Sequence, residues 1–397
     1  MLWQPALDPR YRAMQEEEIH EAISARKHEL GDRLVILGHH YQQDSVIRHA
    51  DFTGDSFKLS QLAAAKVAEV GAEYVVFCGV HFMAESADIL TPPNVSVILP
   101  DLSAGCSMAD MAAYVDVVDA WDSIHEALNE GGFEGRVVPI TYMNSSAAIK
   151  AFVGERGGAV CTSSNAQRVL EWAYSGGTEP RKEGESIKVL FLPDQHLGRN
   201  TAADMGYDVA SEMCLWDPKA PDGLGGNSAE ELVRSAIILW KGHCSVHKLF
   251  RPEHVDEIKA HDPDMRVIVH PECDHEVVKR ADEAGSTEGI MKAIADSPPG
   301  SRWAVGTEVH MVNRLAAQHT DKVVRMLSDC QCLCTTMYRI NPRHLLWVLD
   351  NLAEGKVVNQ ITVDDEVRRW SLEALERMLA LVGSATGGAA GVGAAGG

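Results

Sequence analysis

Basic residues are scarce in this chain. Lys and Arg number 36 against 57 Asp and Glu, for a formal net charge of −21. Such a surface repels polyphosphate backbones and anionic lipid, so neither nucleic acid nor a membrane is expected as the main partner. Small acidic substrates stay admissible, because the charge local to a site decides those. Long apolar runs are also missing, and none approaches the roughly 18 residues of a membrane span. The stretch Met1 to Glu21 mixes Trp, Pro and Arg with Glu16-Glu-Glu18 and has no apolar segment of an export signal. A cytoplasmic, reducing location is therefore expected. There the nine cysteines serve as buried apolar residues, metal ligands or catalytic groups rather than as disulfides.

The chain has 397 residues, 45% of them hydrophobic and 23% charged, which suits a soluble protein of two or three domains. The Gly/Ala-rich tail, 384–397, has no period and is expected to be disordered. Residues 1–30 read as a helical extension, with an amphipathic helix over 15–30.

Three stretches then follow one plan: an apolar strand, a polar strand end, a Ser-bearing helix start, a further strand with a His-bearing end, and a cysteine. In the first, Arg33-Leu-Val-Ile-Leu37 ends in Gly38-His-His-Tyr-Gln-Gln-Asp44, Asp55 or Ser56 caps a helix closed by Gly71, and Glu73-Tyr-Val-Val-Phe-Cys78 leads to His81 and Cys106. In the second, Val137-Val-Pro-Ile140 ends in Thr141-Tyr-Met-Asn144. Ser163-Ser-Asn165 caps a helix, and Lys188-Val-Leu-Phe-Leu192 leads to His196. A Pro/Gly-rich loop around 217–226 and a helix over Ala229 to Trp240 come before Cys244. In the third, Arg266-Val-Ile-Val269 ends in His270-Pro-Glu272, Gly285-Ser-Thr287 caps a helix, and Trp303-Ala-Val305 leads to His310 and Cys334.

The spacings from His39 to Ser56, His81 and Cys106 are 17, 25 and 25; from His270 to Ser286, His310 and Cys334 they are 16, 24 and 24. The middle stretch runs 21, 33 and 48 from Tyr142 to Ser163, His196 and Cys244, its excess falling largely in the Pro/Gly-rich loop. The repeat predicts an α/β fold of three similar domains. Domain 1 spans 31–105 and is completed by C-terminal helices within 335–383, domain 2 spans 106–243, and domain 3 spans 244–334. Asn341-Pro342 opens the first of those helices, a second runs from about Asp364 to Leu381, and both are expected to pack on domain 1.

Apolar strands with polar carboxyl ends place ligands at those ends. His39, His40 and Tyr41, then Tyr142 and Asn144, then His270 and Glu272, are expected to face one cavity, where His, Tyr and Glu make a workable acid–base set. Ser56, Ser163, Ser286 and Thr287 sit at helix N-termini. A capping hydroxyl is the ordinary role there, and an anion cradle for carboxylate or phosphate is the functional one. Cys106, Cys244 and Cys334 close the three units. Converging thiolates suit zinc, copper(I) or an iron–sulfur cluster, and buried structural thiols remain the alternative. Cys330 and Cys332 are ligands, a redox pair or inert; Cys78 and Cys161 read as core and Cys214 as a loop thiol. An iron–sulfur or thiol redox sensor and a zinc hydrolase are the competing functional readings.

The segments Gly38-His-His-Tyr-Gln, Ala50-Asp-Phe-Thr-Gly-Asp-Ser56, Thr141-Tyr-Met-Asn144, Thr162-Ser-Ser-Asn165, Gly242-His-Cys-Ser-Val-His247, Val269-His-Pro-Glu-Cys273, Gly285-Ser-Thr-Glu-Gly289 and Cys334-Thr-Thr-Met337 together resemble the quinolinate synthase (quinolinate synthetase A) family of de novo NAD biosynthesis. The resemblance covers about residues 31–355, in family order, and implies three similar three-layer α/β/α domains, with small parallel sheets around a pseudo-threefold axis. It implies a transferase/lyase-type reaction that condenses iminoaspartate (iminosuccinate) with dihydroxyacetone phosphate to give quinolinate, releasing phosphate and water. It implies one [4Fe–4S] cluster per chain on Cys106, Cys244 and Cys334, with an open iron acting as Lewis acid. Catalytic roles carry over to Tyr41 and Glu272, with His39 and His270 beside them. Substrate contacts carry over to His39, Ser56, Tyr142, Asn144, Ser163, His270, Glu272, Ser286 and Thr287, and a functional link to L-aspartate oxidase is implied. His40 receives no role.

Overall fold

Fully buried runs such as Leu34-Val-Ile-Leu-Gly-His39 and Ile237-Ile-Leu-Trp240 leave no face for solvent. That is the condition for a parallel strand covered on both sides by helices. The computed structural model describes residues 3–329 and 332–383; Cys330 and the Gly/Ala tail lie outside them. Three small sheets result. The first has the order Gln360–Ile361, Ser96–Ile98, Tyr74–Cys78, Leu34–His39, Phe52–Gly54. It is parallel except at its Gln360–Ile361 edge. The middle sheet runs Ala159–Cys161, Gly135–Tyr142, Ser186–Leu192, Ile237–Trp240, Met213–Trp216, and the third runs Glu283–Ala284, Arg266–Val269, Arg302–Gly306, Val323–Met326. Every pair in these two sheets is parallel.

Counted within each repeat, the first and third sheets share the order 2-1-3-4. The middle sheet keeps 2-1-3, then takes Ile237–Trp240 in the fourth place and adds Met213–Trp216 at its edge. The long spacing before Cys244 therefore includes a whole extra strand. This 2-1-3 order is doubly wound, and the rule for such sheets puts ligands outside the carboxyl ends where the order reverses, beside strand 1. Strand 1 of the three sheets ends in His39-x-Tyr41, Tyr142-x-Asn144 and His270-x-Glu272. Each of the three unit-closing cysteines follows its sheet's fourth strand.

Three sequence expectations change. The helix expected over Ala229 to Trp240 stops at Arg234, and Ile237–Trp240 is a strand paired on both sides. Ser228 and Glu231 form a capping box that starts the helix, and Ser235 turns extended to end it. A short apolar run such as Ile-Ile-Leu-Trp satisfies either period, and burial on both faces selects the strand. Cys214 is likewise in a strand, half-buried against an apolar core, rather than in a loop.

The third change concerns the C-terminus. The described residues form two compact units, one within Met1–Asp110 and His243–Asp364, the other within Met111–Gly242 and Asp365–Gly397. The helix Pro342–Ala353 belongs to the first, packed on Glu16–Leu30, where Arg26 meets Asp350 at 2.8 Å. The last helix, Asp365–Gly383, belongs to the second, against Ala147–Glu155. Gly154 permits this. A Cβ there would lie 1.9 Å from the Trp370 carbonyl oxygen, so only glycine admits so close an approach. Ser371 then donates to the Ala147 carbonyl at 2.8 Å, and Arg377 donates to the Gly154 and Gly158 carbonyls at 2.8 and 2.7 Å. Among the described residues no helix is long and apolar enough to cross a membrane.

Candidate active site

In the first unit, two strand ends are built alike. His39 closes its strand, and its Nδ1 accepts the Tyr41 backbone N–H at 3.1 Å. His270 follows its strand, and its Nδ1 accepts the Glu272 backbone N–H at 3.3 Å. In each case the proton is thereby directed to Nε2, leaving an Nε2–H donor. Burial above all pushes both imidazoles down to about 3, so both are neutral near pH 7. A neutral imidazole with a fixed donor nitrogen polarises an oxygen without carrying charge into the site.

Tyr41 and Glu272, two residues beyond these imidazoles, are joined by a chain of hydrogen bonds that the sequence reading did not contain. The Tyr41 hydroxyl lies 2.7 Å from Thr307 Oγ1, Thr307 Oγ1 lies 3.1 Å from His247 Nε2, and His247 Nδ1 lies 2.7 Å from Glu272 Oε2. Thr307 is 0%, His247 1% and Glu272 2% exposed. The consistent assignment with an ionised Glu272 has Tyr41 donating to Thr307, Thr307 to His247 Nε2, and His247 Nδ1–H to the carboxylate. His247 also stacks on His270, with centroids 4.4 Å apart and planes 13° from parallel. Burial first, then the Glu272 charge, holds the Tyr41 phenol well above its usual value. Tyr41 is therefore protonated at rest and parts with its proton only when one is supplied in return. The signals for the two missed residues are modest. His247 stands three after Cys244, and Thr307 directly follows the strand Arg302–Gly306.

The three predicted cysteines all lie in the first unit, and each meets backbone donors. The Cys106 sulfur meets the N–H groups of Ala109 and Met108, Cys244 that of His247, and Cys334 those of Met337 and Thr336, with Thr336 Oγ1 at 3.5 Å. Donors aimed at sulfur stabilise thiolate, the ligand form. Burial pushes the Cys106 thiol up to about 12, with Cys334 adding to the shift. Burial, then Glu272, Cys334 and Cys106, push Cys244 up. Three half-buried thiols that feel one another's charge fit a soft metal or cluster able to hold them as thiolates. Donor atoms of Cys244, His247 and Glu272 lie within 4.8 Å of one another. Two of those three are already hydrogen-bonded to each other. Cys332 is 0% exposed in an apolar cluster and faces Ser328. Cys78 and Cys161 are also fully buried, as expected of core residues.

The remaining predicted residues divide between the units. In the first, Ser286 caps its helix by accepting the Gly289 N–H at 3.2 Å, Thr287 hydrogen-bonds Tyr41, and Ser56 is the first residue of a helix capped by Asp55. His40 turns to Glu288 at 2.9 Å. In the second unit, Tyr142 ends strand 1 and pairs in register with Cys161, so Asn144 and Ser163 follow neighbouring strand ends. Asn165 is the N-cap residue but its carboxamide oxygen accepts the Thr162 N–H instead of capping the helix.

Known proteins resemble this chain over most of its length. Residues 21–380 match the family described as Quinolinate synthetase A protein. The chain is similar to the quinolinate synthase of Acidobacterium capsulatum, 54% identical over 94% of this chain and 95% of that one. It is similar to that of Nocardioides sp., 56% identical over 91% and 89%, and to that of Rhodopirellula baltica, 50% identical over 94% and 93%. A match across most of the chain, with relatives identical at half of their positions or more, means that this chain belongs to the quinolinate synthetase A family.

Proposed function

We propose that this protein is a quinolinate synthase, condensing iminoaspartate with dihydroxyacetone phosphate and releasing phosphate and water, in a transferase/lyase-type reaction of NAD biosynthesis. The observation that carries the reading is the buried chain Tyr41–Thr307–His247–Glu272 beside Cys244. The condensation requires enolisation and imine chemistry, so a proton must leave a carbon and another must reach an oxygen. Glu272 Oε2 accepts through His247 and Thr307, while Tyr41 exchanges a proton with substrate at its hydroxyl. His39 and His270 offer Nε2–H donors to a carbonyl or carboxylate oxygen. Ser286 and Thr287 start the helix Thr287–Asp296, and Ser56 starts Ser56–Val70; their N–H groups suit carboxylate or phosphate. Tyr142, Asn144 and Ser163 take substrate-binding roles from the matching positions of the middle sheet.

Cys106, Cys244 and Cys334 would hold one [4Fe–4S] cluster, and its open iron would supply Lewis-acid polarisation of a departing hydroxyl. The domain limits 31–105, 106–243 and 244–334 are proposed to follow the three sheets. A cytoplasmic location and a supply of iminoaspartate by L-aspartate oxidase fit the same reading. Protein purified without oxygen should be brown, carry about four irons, and release phosphate and quinolinate from the two substrates. An iron-free preparation with full activity refutes the cluster, and an iron-loaded one that forms no quinolinate refutes the function. The Cys244, His247, Glu272 donor set also suits zinc; one zinc per chain and no iron would favour that second reading.

A further inference from the structure

Tyr41 sits in a turn, and its two flanking carbonyls have one shared partner. Arg314, on the helix Val309–Gln318, donates through Nη1 to the His40 carbonyl at 2.9 Å and through Nη2 to the Gln42 carbonyl at 2.6 Å. Its Nε donates to Asp44 Oδ1 at 2.7 Å. The Arg314 side chain is 15% exposed. The Tyr41 N–H is meanwhile taken by His39 Nδ1. Resting on the function proposed above, we propose that Arg314 is a positioning residue for Tyr41: its planar fork holds the His40 and Gln42 carbonyls, fixes the turn that carries the Tyr41 Cα and so the direction of the phenol toward Thr307.

The physical case is geometric. A guanidinium presents paired donors in a rigid plane, which an ammonium cannot imitate. The fork holds the peptide plane before Tyr41 through the His40 carbonyl and the plane after Gln42 through the Gln42 carbonyl, while the Gln42 N–H, donating to the His39 carbonyl at 2.9 Å, holds the plane between them, so the Tyr41 Cα–Cβ vector is set. A displacement of ~1 Å in a reacting group can cost about a hundredfold in rate. Gln42 adds a second anchor, its Nε2 donating to the Met337 carbonyl at 3.1 Å. A looser counterpart, made by an ammonium, occurs independently in the second unit. There the fully buried Lys150 donates to the Met143 carbonyl at 2.9 Å and to the Ser145 carbonyl, the pair that flanks Asn144. In both turns a cation from a helix that follows takes the carbonyls before and after one strand-end residue named as part of the site.

The test uses the iron-loaded protein and the variants Arg314→Ala, Arg314→Lys, Tyr41→Phe and Arg314→Ala/Tyr41→Phe. Arg314→Ala should lower kcat about 30-fold, with KM within about twofold and iron content unchanged. Arg314→Lys should fall between it and the parent, and added guanidinium should restore part of the loss in Arg314→Ala alone. The double variant should be no slower than Tyr41→Phe, because Arg314 acts through that hydroxyl. Amide exchange over residues 40–44 should quicken at least tenfold in Arg314→Ala while the strand Arg266–Val269 stays protected. This last readout judges the clamp even if the parent makes no quinolinate, in which case the functional reading fails separately. Unchanged exchange, a kcat within twofold of the parent, or a fully multiplicative loss in the double variant overturns the proposal. Loss of iron in both Arg314 variants also overturns it, since Arg314 would then support the whole unit.

Discussion

Thr307→Val is the sharpest perturbation of the proposed proton path. Valine keeps the volume and branching of threonine and deletes one oxygen, the one between Tyr41 and His247 at 2.7 and 3.1 Å. Thr307 is 0% exposed, so water does not replace it freely. The Tyr41 hydroxyl and His247 Nε2 each lose a partner, and a buried polar group left unpaired costs about 1–3 kcal/mol. Tyr41 keeps its hydrogen bond with Thr287, which brings the expected stability loss to about 2–4 kcal/mol rather than the full sum. The kinetic loss should be larger than this scaffold effect suggests. Interrupting acid–base transfer costs about 10²–10³ in kcat, or roughly 3–4 kcal/mol of barrier. Thr307→Ser retains the hydroxyl and should keep most activity. The assay is steady-state quinolinate formation under anaerobic conditions, with iron content measured on the same samples. If Thr307→Val works within about threefold of the parent while Tyr41→Phe does not, the proton does not travel through Thr307.

Three further outcomes follow from the same geometry. Stability should fall as pH drops below about 6.5. His39 and His270 titrate near 3 when folded and near 6.5 when unfolded, so the unfolded chain binds the protons first and each site contributes about 2 kcal/mol less at pH 5 than at pH 7.5. The urea midpoint should shift accordingly, and a His39→Gln/His270→Gln variant should show a shallower dependence; identical pH slopes would contradict the buried neutral imidazoles. Cys334→Ala should lose iron, whereas Cys332→Ala, in the apolar cluster, should keep it at a cost of about 1 kcal/mol; equal iron in the two variants means the wrong thiol was chosen. Gly154→Ala should destabilise the second unit by at least about 2 kcal/mol, because its Cβ meets the Trp370 carbonyl oxygen; an unchanged melting temperature would show that the last helix is not held there.

The sequence alone determined the elements whose signals are local. Apolar runs with polar ends marked strand 1 of each sheet. Asn341 before Pro342 marked a helix start, which the side chain of Asn341 caps by accepting from Arg343 and His344. Near-equal spacing marked the repeat in the first and third stretches, and with it His39, His270, Cys106 and Cys334. Tertiary structure decided whatever depends on long-range partners. Ile237–Trp240 has no local feature separating strand from helix, and only burial between two other strands makes it one. The place of the last helix depends on a missing Cβ at Gly154, more than 200 residues upstream. Thr307 and His247 carry no signature of their own. Their proposed role exists only because folding puts Thr307, directly after the strand Arg302–Gly306, and His247, at the turn His247–Leu249, between Tyr41 and Glu272, 231 positions apart in the chain, within hydrogen-bond distances that spacing cannot express.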